Sequence, residues 1–351
     1  MHPFIRSLVI NKLMLLCVML TAAVTLSAAH LSPIRILSLD GGGIRGVIEA
    51  SLLAEMEEEL EKPISQVFDM IVGTSTGGIL ALGLSVPTDD GVSPRYRARD
   101  LLEIYSKHGD KVFSASLLHR VRTLGGLLGP KYEPYGLEEI LLEHFGNLKM
   151  SDAITDVMVT SYHVDGQTEV EFFSYDAVIF PKDRDCLMRE AARATSACPG
   201  YFPPAKVQLP WGMLENLLDG GMIANNSALL AYLKALEIHP GRDIEIYSIG
   251  TGNMVIEESG EDLEDRGLVK WLYPIFRHIQ FGRTSSDNDT LHKLLNKDGQ
   301  ENFMRVNVWL DDEHKAMDDY SEENVSYLLD KSKEAMHSPI FRKMIEKLKG
   351  E

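Results

Sequence analysis

Asp40-Gly41-Gly42-Gly43-Ile44-Arg45-Gly46 and Gly73-Thr74-Ser75-Thr76-Gly77-Gly78 are the two stretches that decide the fold of this chain. Each follows an apolar run and each opens into a helical pattern. Ile34 to Leu39 is apolar enough for a buried strand and stops at Asp40. Val47, Ile48, Leu52, Leu53, Met56 and Leu60 then recur at helical spacing, with Glu55, Glu57, Glu58 and Glu59 outside. Val67 to Val72 reads as a second strand, and an apolar helix runs from Gly78 to Leu84 after the Gly73 turn. Strand, tight turn and helix, repeated, predict an α/β fold: a mostly parallel central sheet wrapped by helices on both faces, in three layers.

Further along, Ala98 to His108 and Leu137 to His144 read as helices, and Asp156 to Tyr175 as a hairpin turning at Asp165-Gly166. Leu187 to Ser196 is helical up to Pro199-Gly200. Asn216 to Leu218 is a short strand entering Asp219-Gly220-Gly221, and Ser227 to Glu237 follows as a helix. Ile244 to Ile249 has a buried-strand pattern and stops at Gly250-Thr251-Gly252. Gly260 to Gly267 is an acidic loop, Asn302 to Leu310 one more strand, and Glu323 to Lys349 one or two amphipathic helices. Without repeats, heptads or a low-complexity linker, residues 30–351 read as a single domain. Its motifs lie within 34–252, and 253–351 form a C-terminal extension.

The first 29 residues have the form of an export signal. Arg6 and Lys12 give a positive front, Leu13 to Leu26 is uncharged and apolar, and Ser27-Ala28-Ala29 offers small residues for cleavage. Removal would make the chain secreted or periplasmic. The alternative is a membrane anchor over residues 13–29, which nearly reach spanning length. Cleavage is favoured because only Leu31 to Pro33 would separate an anchor from the first strand. It would also leave Cys186 and Cys198, which either pair in an oxidising compartment or stay buried as small hydrophobes. No cysteine pair has metal-ligand spacing, so no metal is expected.

A chain of 351 residues with 44% hydrophobic and 25% charged residues is an ordinary globular protein. Its formal net charge is −17, and becomes −19 if Arg6 and Lys12 leave with the signal. That balance speaks against nucleic acid as a partner and against general electrostatic docking onto anionic lipid. A membrane contact would have to be apolar or locally basic. Lys111 to Lys131 offers such a surface: Lys111, Arg120, Arg122 and Lys131 stand with Leu117, Leu118, Val121, Leu124, Leu127 and Leu128, and no acidic residue intervenes. It reads either as a lid or interfacial surface or as a segment whose leucines are core. Leu268 to Phe281, with Trp271, Tyr273, Phe276 and Phe281, is a second candidate contact or, again, core.

The chemistry lies in the turns. Ser75 stands in a G-x-S-x-G between a strand and a helix, a corner abrupt enough to expose the serine at the mouth of the sheet. Gly73 and Gly77 lack a Cβ that would clash there. The glycines Gly41, Gly42 and Gly43 leave backbone N–H groups open to an oxyanion, and Arg45 adds charge or braces the loop. Gly41, Gly43 and Gly46 also form a G-x-G-x-x-G, so phosphate binding is the rival reading, although no strand-end acid follows at dinucleotide spacing. A reactive serine needs a base. Asp219, before Gly220-Gly221 at a strand end, is one candidate; Asp40 and Asp69 are rival carboxylates, and His163 is the best placed histidine. Asp69 should face a neighbour within its strand, and Asp40 should organise the amides of its own loop.

Taken together, Asp40–Gly46, Gly73–Gly77 and Asp219-Gly220-Gly221 resemble the three signature blocks of the patatin-like phospholipases. Ala194-Thr195-Ser196-Ala197-Cys198-Pro199-Gly200-Tyr201-Phe202-Pro203-Pro204 and Ser248-Ile249-Gly250-Thr251-Gly252 are similar as well, except that Cys198 stands where a small residue such as alanine is usual. The resemblance runs from Ile34 to Gly252 in the family's order. It implies a Ser75–Asp219 dyad, an oxyanion loop at Gly41–Gly43 with Arg45, and supporting glycines at 73, 77 and 220. It also implies acyl-ester hydrolysis in membrane or neutral lipids through an acyl-enzyme, with no cofactor or metal and with transient contact to a membrane or micelle surface. Transfer of the acyl group to an alcohol remains the alternative with the same nucleophile.

Overall fold

The computed structural model describes residues 32–254 and 267–350; the segment read as an export signal and most of the one read as an acidic loop lie outside the described residues. Its strands are β1 (Ile34–Leu39), β2 (Met70–Gly73), β3 (Asp156–His163), β4 (Thr168–Phe173), β5 (Ala205–Leu209), β6 (Gly212–Asp219), β7 (Ile244–Ile249), β8 (Asn253–Met254), β9 (Phe303–Val306) and β10 (Trp309–Leu310). The main sheet has eight strands in the order β5-β6-β3-β2-β1-β7-β9, with β4 also paired to β3, while β8 and β10 form a separate pair. From β3 to β9 the pairings are parallel; β4, β5 and β6 are antiparallel additions.

Alternation along the central strands sends side chains to two apolar layers. Leu37, Leu39, Ile71, Val157, Tyr247 and Ile249 enter one layer, and Ile34, Ile36, Met70, Val72, Ile244 and Ile246 the other. The first layer is covered by α1 (Gly46–Leu60), α2 (Thr76–Leu84), α3 (Ala98–Val112), α5 (Tyr135–Phe145) and α6 (Met188–Thr195), with the short α4 (Leu117–Thr123) outside it. The second is covered by α7 (Ala228–Ile238), through Ala228, Ala231 and Ala235, and by Leu291 and Leu295 of α8 (Leu268–Leu295). Small residues at helical spacing let α7 lie close on the sheet. The α/β fold in three layers is therefore present.

The C-terminal residues belong to this core. β9 extends the sheet beyond β7, and α9 (Glu322–Met336) and α10 (Pro339–Lys349) add Leu328, Phe341, Met344, Ile345 and Leu348 to the first layer.

Three local expectations need correction. Val67 closes a helical turn, Ile64–Val67, that seats the buried Ile64 after Pro63, so β2 begins only at Met70. The strand expected at Asn216–Leu218 is longer and is half of a hairpin with β5. It was hidden because its outer residues are polar or exposed and the register shifts between Ala205 and Val207. Asn302–Leu310 is broken in two at Asn307, whose Oδ1 accepts from the Gly252 and Val308 N–H groups instead of continuing a ladder. The other predicted helices keep their places with small changes at the ends.

Phe341 is fully buried. Phe341→Ala is expected to lower unfolding free energy in urea by about 3–5 kcal/mol through lost burial and a residual cavity, within one cooperative transition. A separate early transition confined to the C-terminal residues would contradict this packing.

Candidate active site

β4 pairs with β3 from Met158 to His163 and so occupies one edge of that strand. β2 takes the other edge at Asp156–Val159 and β6 the same edge at Ser161–His163. These two strands therefore lie on one track and run toward each other. Ser75, just past the end of β2, and Asp219, the last residue of β6, meet at the gap. Both side chains line one cavity, and the neighbouring Ser75 hydroxyl holds down the pKa of the Asp219 carboxyl.

The serine turn is held by close backbone approach. Ser75 has φ 54° and ψ −121°, a conformation that costs a non-glycine residue about 1–3 kcal/mol. A Cβ on Gly73 would come within 2.2 Å of the Gly77 carbonyl oxygen, and one on Gly77 within 2.5 Å of the Leu39 carbonyl oxygen. Both glycines are thus demanded by contact. The Ser75 N–H donates to Thr195 Oγ1 at 2.9 Å, Thr74 Oγ1 donates to the Ala224 carbonyl at 2.9 Å, and Thr76 Oγ1 donates to the Tyr105 hydroxyl at 2.7 Å.

Asp219 is buried, and its Oδ1 accepts from the Gly221 N–H at 2.7 Å. Burial pushes its pKa up to about 6, and the Gly221 N–H and the nearby Ser75 hydroxyl limit the rise. Gly220 is packed so tightly that a Cβ would meet Thr160 Oγ1 at 2.1 Å.

The glycine loop differs from expectation at one residue. The Gly41 N–H donates to the Asn225 carbonyl at 3.0 Å, and the Gly41 carbonyl accepts from Asn225 Nδ2 at 3.1 Å and Thr251 Oγ1 at 2.7 Å. Gly41 is thereby engaged on both sides and has no free amide to offer. Gly42 and Gly43 line the cavity beside Ser75, and among the described residues their N–H groups have no partner. Gly43 has φ 61°, and a Cβ there would sit 2.1 Å from the Met317 carbonyl oxygen. Arg45 braces the loop from beneath: its Nε donates to the Gly42 carbonyl at 3.1 Å.

The rival bases stand elsewhere. Asp40 does not hold its own loop's amides through its carboxylate; it is clamped by both terminal nitrogens of Arg305, one at 3.0 Å, and Arg305 also donates to Ser248 Oγ at 2.6 Å. Asp69 accepts from the Arg35 N–H at 2.8 Å. His163 lies 3.9 Å from Asp165 in the hairpin and does not line the cavity. Cys186 and Cys198 are both free thiols, and Cys198 lines the cavity.

Above Ser75 opens a cavity of about 1030 Å³ including its mouth. Its polar end carries Ser75, Asp219, Asn225 and Gln280, and its long wall carries Ile79, Ile104, Val112, Phe113, Ile140 and Phe202. A second cavity of about 350 Å³ shares Ile79, Ile104, Tyr105, Ile140 and Leu141 with it and reaches His144 and Phe145. Phe276, from the aromatic stretch of α8, and Met317 line the cavity as well. Asn225, Arg305 and Met317 were not singled out from the sequence, and Thr195 was quoted only as part of the block 194–204. Asn225, a few residues past Gly220-Gly221, carried a local hint. Arg305 and Met317, far along the chain, carried none.

The profile of a family described as patatin-like phospholipase matches residues 37–232, and the chain belongs to that family. It is 29% identical to patatin-like protein 2 of Arabidopsis thaliana over 348 residues, covering 88% of this chain and 84% of that one. It is 33% identical to patatin-like protein 4 of the same plant, covering 68% and 65%. A potato relative, 28% identical with 78% of each chain covered, is named probable inactive patatin-3-Kuras 1. Family membership thus supports lipid acyl hydrolysis as the general activity, and whether a given member is active depends on the residues it carries.

The Asp40–Arg305 pair is nearly dry, with side chains 5% and 10% exposed, and Glu49 lies beside it with its Oε1 accepting from the Asp40 N–H. Burial already raises the pKa of Asp40 and raises that of Glu49 well above the usual range. Arg305→Met should therefore cost about 3–5 kcal/mol near neutral pH, because it leaves a buried carboxylate unpaired. The native state then takes up a proton more readily than the unfolded chain, so urea denaturation should show the penalty shrinking as pH falls. A penalty independent of pH would mean that Arg305 acts by packing alone.

Proposed function

We propose that this protein is a serine lipid acyl hydrolase of the phospholipase A or lysophospholipase type. The observation that carries the reading is the placement of Ser75, strained at the end of β2, and the buried Asp219 carboxylate on the wall of one apolar cavity, close enough for the hydroxyl to lower the carboxyl pKa.

In this reading Ser75 Oγ attacks the ester carbonyl carbon while its proton passes to Asp219. The carbonyl oxygen becomes an oxyanion and accepts from the Gly42 and Gly43 N–H groups. Collapse breaks the ester C–O bond, and the leaving alkoxide takes the proton from Asp219, leaving Ser75 acylated. A water then attacks the acyl-enzyme, giving its proton to Asp219. The second collapse returns that proton to Ser75 Oγ and releases the fatty acid. The apolar wall and the smaller cavity behind it suit a long acyl chain. Phosphate binding at the glycine loop is disfavoured by Asp219 in the same cavity, whose negative charge would oppose a second anion. Acyl transfer to an alcohol uses the same residues, and no observation favours it over hydrolysis.

Ser75→Ala and Asp219→Asn are each expected to lower kcat/KM on phospholipid and on a soluble ester by about 10⁴-fold or more. In the wild type kcat/KM should fall tenfold per pH unit below about 6, as the Asp219 carboxylate takes up its proton and can no longer accept one from Ser75. Unchanged product profiles with Ser75→Ala, or a profile flat through that range, would remove the assignment.

We further propose that residues 1–29 direct export and are cleaved. The intact mass of the exported chain should correspond to a start at His30, whereas a full-length mass in the membrane fraction would support the anchor instead.

A further inference from the structure

We propose that the excursion from Ser114 to Lys131 is the face by which this protein docks onto a bilayer containing anionic phospholipid. The proposal rests on the lipid-hydrolase reading for its purpose, but on the surface itself for its evidence.

Leu117, Leu118, Val121, Leu124, Leu127 and Leu128 fall within twelve positions and are each between 57% and 83% exposed. The alternative reading, that these leucines are core, is not what the structure shows. A run of uncovered large aliphatic side chains this dense is unusual for a surface that meets only water. Within the excursion only Phe113 before it, Thr123 inside it and Tyr132 after it are buried. The backbone makes contacts of its own: Ser116 caps α4 by accepting from the His119 N–H, and His119 Nε2 lies 2.9 Å from the Pro130 carbonyl oxygen. The leucines are thus held outward by a formed structure.

The excursion is clipped to the wall of the cavity at both ends. Val112 and Phe113 line the cavity where it begins. Where it ends, the Lys131 and Tyr132 N–H groups donate to the carbonyls of Gly200 and Tyr201 at 2.8 and 2.9 Å, and Tyr201 and Phe202 line the same cavity. The Phe113 and Tyr132 rings close the base at 5.5 Å between centroids. A bilayer seated on the leucines would therefore lie against a segment whose two ends are joined to the lining of the cavity.

Charge selects the occupant. The whole chain carries −17, but fixed charges are screened over about 8 Å at physiological ionic strength, so a surface responds to the face it touches. Lys131 is paired with Asp318, and Glu133 accepts from the Ser116 N–H at the base. Arg120 and Arg122 are exposed and form no ion pair with any described residue. The outer face thus combines aliphatic side chains with two cations, the combination that enters an anionic interface. No described helix is long and apolar enough to cross a membrane.

The test uses the full chain carrying Ser75→Ala, so that vesicles are not consumed. It is sedimented with vesicles of phosphatidylcholine alone and of phosphatidylcholine mixed with phosphatidylglycerol. The parent is expected to partition more strongly onto the mixed vesicles. Joint L117S, L118S, L127S and L128S should weaken partitioning onto both by at least about tenfold, and R120E with R122E should weaken it on the mixed vesicles by on the order of tenfold while abolishing the preference. With Ser75 intact, both variants should hydrolyse a dispersed short-chain ester at the parental rate. The proposal is overturned if the parent binds neither vesicle, if the variants bind as the parent does, or if soluble-ester hydrolysis falls in step with binding. It is also overturned if sedimentation velocity shows a dimer that the leucine variant dissolves, since a second copy would then cover the face. If no ester is hydrolysed but partitioning follows the expected pattern, the hydrolase reading fails and the docking face stands.

Discussion

Two strands that share one edge of β3 and point at each other set the geometry on which the rest depends. β4 takes the opposite edge, so β2 and β6 have no room to lie side by side and must end where they meet. A serine and a carboxylate separated by 144 positions along the chain are thereby brought to one cavity, near enough for the hydroxyl to act on the carboxyl pKa. Close approach then fixes the details. The Gly77 backbone presses against the carbonyl of Leu39 and the Gly73 backbone against that of Gly77, which ties the end of β2 to the end of β1. The strain at Ser75 persists because these contacts leave the turn no relaxed alternative.

The buried carboxylates around this junction show how neighbours assign roles. Asp40, Glu49 and Asp219 are all buried. Asp40 is clamped by a guanidinium, and Glu49 holds the Asp40 N–H, so both serve the loop. Asp219 meets no cation among the described residues; it accepts from one backbone amide and has a hydroxyl beside it, and its pKa is pushed up to about 6. The same burial that would make an unpaired carboxylate costly is what makes this one basic. Arg305, supplied by β9, shows that the C-terminal residues are part of the site's support, as does the Met317 carbonyl, which accepts from the Ile44 N–H at 2.9 Å.

Much of this was legible in the residues. The turn glycines report local sterics, and local sterics are written in the sequence: Gly43 at φ 61° and Gly77 against a neighbouring carbonyl admit no side chain. The periodicities of α1, α7 and the buried strands also stood out, since an amphipathic helix or a fully buried strand carries its environment in its composition. The β5–β6 hairpin was less visible because an edge strand buries few residues. The break at Asn307 was invisible because it depends on a hydrogen bond to Gly252 in another element. Gly41 was expected to offer its N–H, and its engagement by Asn225 is a long-range contact of the same kind.

The amino-acid sequence alone determined which atoms can do chemistry here and where the backbone must turn: a serine in a glycine corner, a bare-amide loop and several carboxylates at strand ends. Its local readings gave Asp69 to a strand neighbour and Asp40 to the loop, and Asp219 as base followed from the family resemblance. The partners these carboxylates actually meet belong to the tertiary structure. Strand direction and edge sharing are decided by the packing of the whole sheet, and only they bring Asp219 to Ser75 while giving Asp40 to Arg305 and Asp69 to a backbone amide.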